Sequence, residues 1–452
     1  MPRKVVFLHY HGIGHINPCF PLARILERKS FKVVFAGVGF FQEHVRRNGF
    51  EFYPLKSVPF GLGFERWSNT SKRKRNLYFS CLKDRITDRL HDEREKDLQL
   101  LLQELKPDVL LIDGTQATDF IILYPLLRGT SIKVAVIHAM FPTYVVKGRP
   151  PVNSASLPEN ETAVAAAIRS LKAQHTRKSW GQRLLYVWHD DRYIIDRAIK
   201  RSELPQKYRS EVLGLFYYNI AGVTEFVLSP REFDFPTFDV PTNQFFTGFM
   251  MNPVQHDFTN DDYMQVRALL KDELAENKTR LLYCSFGTIE SAHNDAITEF
   301  LNKLITVTEI LDYRLIISTG SQKDKKIKLR KSDRVYCFQS VPQTDVLTYT
   351  NVFITHGGLS SIKEAIHASV PMLMYPVHGD YDPMGNAARV AYHGLGLRGD
   401  AVTDTESEIV KKIQDLIDDK RFVQNVNKMR NINLRYTATK FLSLFSTLAP
   451  VN

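Results

Sequence analysis

Two groups of residues in this chain could do chemistry. In VFITHGGLSSIKEAI (352–366) an apolar run leads into a glycine turn and then a helical pattern. A helix start offers backbone N–H groups with no partner and the positive end of a dipole, which suits an anion. His356 and Gly358 lie on the turn, Ser360 and Ser361 open the helix, and Glu364 follows one turn after Ser360. These types at this spacing fit the diphosphate and ribose of a nucleotide. The second group starts from His15, placed at the exit of the first strand. The helix after it is expected to start at Asn17 as N-cap, with Pro18 at the first helical position. A helix N-terminus disfavours imidazolium, so His15 is expected to stay neutral and to serve as a base near neutral pH. Such a base needs an orienting carboxylate, and Asp113 ends the strand DVLLID. Plainer readings stand beside these: a structural histidine, and a turn aspartate before Gly114.

Other residues gather around the same idea. Ser285-Phe286-Gly287-Thr288 follows a strand and could form a second wall of the anion site. Asp382, in GDYDPMGNAARV, follows the strand 370–375 and could accept hydrogen bonds from sugar hydroxyls, or could simply be a turn residue before Pro383. His9, His11 and His15 are close enough to raise a metal site, but no Cys, Asp or Glu accompanies them at ligand spacing, so no metal is expected. Gly12-Ile13-Gly14 has Asn17 where a dinucleotide fingerprint needs its third glycine.

Positioning these groups takes a large α/β scaffold. A chain of 452 residues should form two or three domains. Strands are expected at 4–11, 32–38, 50–55, 108–114, 133–140 and 225–229, several of them continuous β-branched runs of the kind buried in parallel sheets. Residues 83–105 read as a charged helix and 163–200 as one or two amphipathic helices. Residues 229–262, rich in Pro, Asp, Asn and Thr, read as a linker. The rhythm then restarts, with strands at 280–286, 314–319, 334–338, 352–355 and 371–375. Two doubly wound domains facing a cleft follow, at 1–235 and 236–420, with a helical tail at 421–452 returning to the first. Groups at carboxyl ends of strands gather at one edge of such a sheet, which brings His15 toward Asp113. The aromatic-rich segment 141–224, with Phe141, Tyr144 and Trp180, would shape a pocket for a second substrate.

Composition narrows the partners. Hydrophobic residues at 44% and charged residues at 24% fit a globular protein, and no apolar stretch is long enough to span a bilayer. The N-terminus reads as a strand rather than a signal peptide. The four cysteines lack paired spacing, so reduced thiols and a cytoplasmic location are expected. The net charge of +11 admits nucleic acid, a membrane surface or a diphosphate. The basic residues are dispersed without a nucleic-acid-binding module, so nucleic acid is disfavoured. The densest basic run, Ser71-Lys72-Arg73-Lys74-Arg75, reads as a solvated face or a polyanion or lipid contact.

Taken together, GHINP (14–18), SFGT (285–288), VPQTDVL (341–347), FITHGGLSSIKEAI (353–366) and DPMGNAARV (382–390) resemble the UDP-glycosyltransferases, GT-B-fold enzymes, in their bacterial or plant-like form that glycosylates small molecules. The resemblance covers nearly the whole chain in the right order. It implies an inverting, metal-independent hexosyltransferase with a UDP-sugar as co-substrate and no cofactor. It assigns His15 as general base and Asp113 as its orienting carboxylate. Ser285, Gly287, Thr288, His356, Gly358, Ser360 and Ser361 would surround the diphosphate. Val341 and Gln343 would lie beside the nucleoside, Glu364 on the ribose and Asp382 on the sugar. The expected acceptor is a small lipophilic or aromatic alcohol or phenol, and the expected state a monomer or weak dimer. Ser340 stands where relatives often carry a stacking Trp, and Pro383 where they often carry Gln. Uridine and deoxythymidine, and the identity of the sugar, therefore stay open. A GT-B-fold epimerase or phosphorylase, and a silent sugar-nucleotide-binding protein, are the alternatives.

Overall fold

The computed structural model of the chain describes residues 2–9, 12–69, 74–209, 214–251, 261–275, 279–287, 295–320, 329–377 and 381–451. Its β-branched and aromatic runs form strands covered on both faces, arranged in two parallel sheets. The first holds β1 (Lys4–Leu8), β2 (Lys32–Val38), β3 (Glu51–Leu55), β4 (Val109–Asp113), β5 (Lys133–His138), β6 (Thr224–Val227) and β7 (Gln244–Phe246) in the order β3-β2-β1-β4-β5-β6-β7. The second holds β8 (Leu281–Ser285), β9 (Arg314–Ser318), β10 (Val335–Phe338), β11 (Val352–Thr355), β12 (Met372–Met374) and β13 (Gly396–Arg398) in the order β10-β9-β8-β11-β12-β13.

Both sheets reverse their winding beside their first strand, between β1 and β4 and between β8 and β11. Ligands of open parallel sheets bind outside the carboxyl ends at such a place. His15 follows β1, and Asp113 is the last residue of β4. In the second sheet Ser285 is paired in register with Thr355, so the turns at 285–287 and 355–358 leave the sheet side by side.

Several expected boundaries move. The segment 229–262 contains β7, which pairs with β6, so the first sheet extends past residue 235. A three-residue strand between proline-rich turns carries too little periodicity to be read; residues 252–260 lie outside the described ones. The helix expected at 83–105 is two helices, Lys74–Ile86 and Arg89–Leu105, broken at Asp88 in the left-handed region. The stretch 163–200, expected as one or two helices, is two, Glu161–Leu185 and Asp191–Arg201. The short helix Gln343–Leu347 and strand β13 were not expected.

An apolar cluster under the second sheet runs on through Met140, Phe141 and Phe233 of the first half. The C-terminal tail ties the halves again. Its helix Lys420–Asn433 buries Val426 and Met429 in that cluster. Its last helix, Ala438–Phe445, inserts Phe441 and Phe445 among Phe7, Phe31 and Phe226 of the first sheet. Phe445 meets Phe31 edge to face at 5.6 Å.

Candidate active site

Helical structure after β1 begins earlier than expected. Gly12, in extended conformation, precedes a turn of helix at Ile13–Ile16, which continues through Asn17–Cys19 into the helix Phe20–Glu27. Asn17 is not the cap, since its side-chain oxygen is bound to His44 Nε2 at 2.7 Å. His15 therefore sits inside the first helical turn rather than ahead of it. Its Nδ1 lies 2.9 Å from Asp113 Oδ2. Asp113 Oδ1 accepts from the Thr115 backbone N–H at 2.8 Å and from the Thr115 hydroxyl at 2.5 Å. Asp113 is thus both a turn aspartate and a histidine partner, with one carboxylate oxygen for each task.

The electrostatics correct one expectation. Burial by itself would push the His15 imidazole down, but Asp113 beside it and Asp382 near it raise it above its ordinary value. These carboxylates outweigh burial, so the shift runs opposite to the one expected from the helix dipole. Burial would raise Asp113, yet the contacts from His15 and Thr115 hold it down at about 2. The strand β1 also supplies His9, stacked on Phe35 with centroids 5.1 Å apart. Burial lowers His9 to about 4, so it stays uncharged beside this pair.

Asp382 contributes to the field at His15 although it belongs to the second half, so the two sheet edges face one another here. It precedes the helix Pro383–Tyr392. Asn386 donates to Asp382 Oδ2 at 2.8 Å and to the Gly357 carbonyl at 2.9 Å, tying this acid to the 355–358 turn. Burial raises the Asp382 carboxyl, with Asn386 and His15 opposing.

The turn after β11 is packed too tightly for side chains. Gly287 has φ +74, and a Cβ on it would come within 2.9 Å of the His356 ring. A Cβ on Gly358 would come within 2.9 Å of the same ring, at Nε2. His356 is thus held between the two turns. The helix Leu359–Ala368 starts from Gly358 with no side chain capping its first N–H groups. Ser360 is half-buried there and Ser361 is buried. Gln343 Nε2 donates to Glu364 Oε2 at 2.7 Å and lies 3.3 Å from Ser361 Oγ, while Tyr283 donates to Gln343 Oε1 at 3.2 Å. Burial raises the Glu364 carboxyl, opposed by Lys363 and Gln343, and burial lowers Lys363. Ser285 is buried at the end of β8, its hydroxyl accepting from the Gly287 N–H at 3.4 Å. Thr288 lies outside the described residues, as does His11.

Other expected positions fall elsewhere. Val341 is a core residue whose side chain packs into the apolar cluster, while Ser340 is exposed. Phe141 is wholly buried, with the Arg389 guanidinium 4.1 Å over its ring, so it supports the contact between the halves rather than lining a pocket. Tyr144 has its hydroxyl committed to Glu225 at 2.7 Å and Gln244 at 2.8 Å. Trp180 is half-exposed and lines a cavity of about 560 Å³ between the helices Glu161–Leu185 and Asp191–Arg201, whose lining includes none of the His15 group. Aromatics at helical spacing went to packing and surface, as composition alone could not decide.

The supporting residues missed were Thr115, Tyr283, Lys363 and Asn386. Two were readable: Thr115 two residues after Asp113 is a common side-chain-to-backbone pattern, and Asn386 is one helical turn after Asp382. Among the described residues the one cluster able to hold a metal is His91, Asp92 and Glu95, where Arg201 already bonds both carboxylates. Among the described residues no helix is long and apolar enough to cross a membrane.

Comparison with known proteins places these features. Residues 282–435 match the family described as UDP-glucoronosyl and UDP-glucosyl transferase. The UDP-glucuronosyltransferase 2C1 of Oryctolagus cuniculus is 28% identical over 57% of this chain and 47% of its own length, so the chain spans about half of that relative. The 4'-demethylrebeccamycin synthase of Lentzea aerocolonigenes is 21% identical over 95% of this chain and 96% of its own. Among solved structures, the kitacinnamycin glycotransferase superposes with a TM-score of 0.69 at 19% identity, covering 100% of both chains. SnogD of Streptomyces nogalater gives 0.64 at 15%, over 99% of this chain and 100% of its own. With its two parallel sheets and these neighbours the chain has the GT-B fold, and from β8 into the tail it is similar to the UDP-glycosyltransferases.

Proposed function

We propose that this protein is an inverting, metal-independent glycosyltransferase that moves a sugar from a nucleoside-diphosphate sugar, UDP-sugars first, to a hydroxyl of a small lipophilic or aromatic acceptor. The observation that carries the reading is the 2.9 Å contact of His15 Nδ1 with Asp113, within the field of Asp382. With Nδ1 bound to the carboxylate, Nε2 is the nitrogen that takes the acceptor's hydroxyl proton. The acceptor oxygen then bonds to the anomeric carbon as the bond to the diphosphate breaks on the opposite face, which inverts configuration. Asp113 stabilises the imidazolium formed. The leaving charge is received by the uncapped N–H groups of the helix Leu359–Ala368. Gln343 and Glu364 hold the nucleoside and ribose, and Asp382 the sugar hydroxyls.

The acceptor class rests on likeness to natural-product enzymes such as the 4'-demethylrebeccamycin synthase. The test is to incubate the protein with UDP- and TDP-sugars and a panel of phenols and alcohols, reading products by mass spectrometry and anomeric configuration by NMR. Transfer with inversion that survives EDTA is expected. An isomerised donor in the absence of acceptor would make the protein an epimerase, and phosphate-dependent turnover a phosphorylase. Nucleotide binding without turnover of any pair would make it a silent binder.

A further inference from the structure

The chain has three tryptophans, and all are half-exposed or more: Trp67 and Trp180 at 50% and Trp188 at 58%. Large aromatics normally bury most of their surface, and tryptophan in particular gathers where an apolar phase meets water. These three belong to one corner of the first half. Trp67 is on the short helix Glu65–Ser68, Trp180 on the helix Glu161–Leu185, and Trp188 on the turn that follows it. Trp180 and Trp188 meet edge to face at 5.9 Å. Around them Leu184 is 80% exposed and Phe79 63% exposed, with Val187 and Tyr193 also exposed.

The corner is rigid. Arg85, itself buried, bonds Glu65 at 3.0 Å, Asp191 at 2.8 Å and the His189 carbonyl at 3.0 Å, and so fastens three elements together. Tyr78 donates to the Leu185 carbonyl at 2.7 Å from the helix Lys74–Ile86. Val187 and Trp188 are held at φ +49 and +66, a region unfavourable for such side chains. The frame therefore presents apolar side chains outward instead of folding them in.

Charge says what would cover this surface. The helix Glu161–Leu185 carries five basic residues and one acid, Glu161 at its start; Lys178 and Arg183 pair with Asp191 and Asp190, while Arg169, Lys172 and Arg177 are exposed. The neighbouring 560 Å³ cavity is lined by Lys172, Arg183, Arg192 and Arg209, and its one acid among the described residues, Asp196, lies between Arg192 and Arg209. A symmetric dimer through this patch would set one basic helix against its copy. An apolar, tryptophan-bearing surface fringed by cations complements anionic lipid headgroups over an acyl layer. We infer that this corner docks the protein on an anionic lipid surface, with the apolar tip at 184–188 entering the interface and the cationic cavity taking a headgroup phosphate. This stands apart from His15 and needs no turnover to be tested.

The experiment is flotation of the full chain with phosphatidylcholine vesicles, with and without phosphatidylglycerol, at low and physiological salt. Binding that requires phosphatidylglycerol and falls with salt is expected, with a blue shift of tryptophan emission and quenching by brominated lipid. Leu184→Ser with Trp188→Ser, and separately Arg169→Glu with Lys172→Glu, should each reduce the bound fraction about tenfold or more, while thermal unfolding stays as in the parent. No flotation of the parent chain at low salt would overturn the inference, as would unchanged binding by both folded variants or an absence of brominated-lipid quenching. A solution dimer dissociated by the Leu184/Trp188 change, without vesicle binding, would overturn it in favour of self-association.

Discussion

Arg389 and Asp234 form an ion pair across the two halves, with Arg389 Nε donating to Asp234 Oδ1 at 2.8 Å and neither residue exposed. Arg389 lies on the helix Pro383–Tyr392 that Asp382 precedes, so this pair fixes where Asp382 stands relative to His15. Removing one member of a buried pair leaves the other charge without compensation. Arg389→Ala should therefore cost about 3–5 kcal/mol in unfolding free energy. Arg149 also lies 3.5 Å from the Asp234 carboxylate, so the apolar triple change Arg389→Met, Asp234→Leu and Arg149→Met, which leaves no buried charge alone, should cost clearly less. Denaturant melts of the parent and the two variants check this; a triple variant worse than Arg389→Ala would mean that packing, not charge, decides the contact.

His15→Ala should lower turnover on the order of 10²–10⁴ while leaving UDP affinity nearly unchanged, since in the proposed mechanism the side chain takes the acceptor's proton and does not bind the nucleotide. Steady-state rates with calorimetric titration of UDP separate the two. Near-parental turnover would remove His15 from the role of base.

The pH dependence follows from the carboxylates around His15. Its imidazole is raised above 6.5, so the deprotonated base forms only at higher pH, and kcat/KM should climb with pH through an inflection above that value. In the absence of substrate, NMR titration of His15 should show the same raised midpoint, moving down in Asp382→Asn. Stability shifts in two windows. The His15 contribution is complete below 6.5 and is lost as pH rises through its folded value. The Asp113 contribution is present above 3.8 and is lost as pH falls toward about 2. A His15 midpoint below 6.5 would contradict the arrangement.

These residues also mark how far the sequence could be read. The winding of both sheets was legible because buried parallel strands are continuous apolar runs, and that winding alone brings His15 to Asp113 and Ser285 to His356. What escaped was set by tertiary contacts with no local signal. Strand β7 is three residues long, and Phe141 is buried because Arg389, almost 250 positions away, covers it. The upward shift of His15 went unread because the dipole argument is local, while Asp113, its strongest raising influence, and Asp382, arriving from the other half, act on it through the fold.

Glu364 offers the sharpest division between binding and chemistry. Its carboxylate is held by Gln343 at 2.7 Å and faces no reacting atom in the proposed mechanism. In the proposed reading its carboxylate accepts from two ribose hydroxyls, and losing that charged acceptor should raise the donor KM and the UDP dissociation constant about 10–100-fold, with kcat at saturating donor changed much less. Glu364→Ala also strips the buried Lys363 of the charge that opposes its loss of a proton, so some of its effect could come through folding. Glu364→Gln keeps shape and hydrogen bonding, and should fall between the parent and the alanine variant in affinity while unfolding like the parent. Calorimetry with UDP and with its 2'-deoxy analogue decides the point. If Glu364 holds the ribose, the parent discriminates between the two nucleotides and Glu364→Ala does not; equal discrimination by both would place the ribose elsewhere.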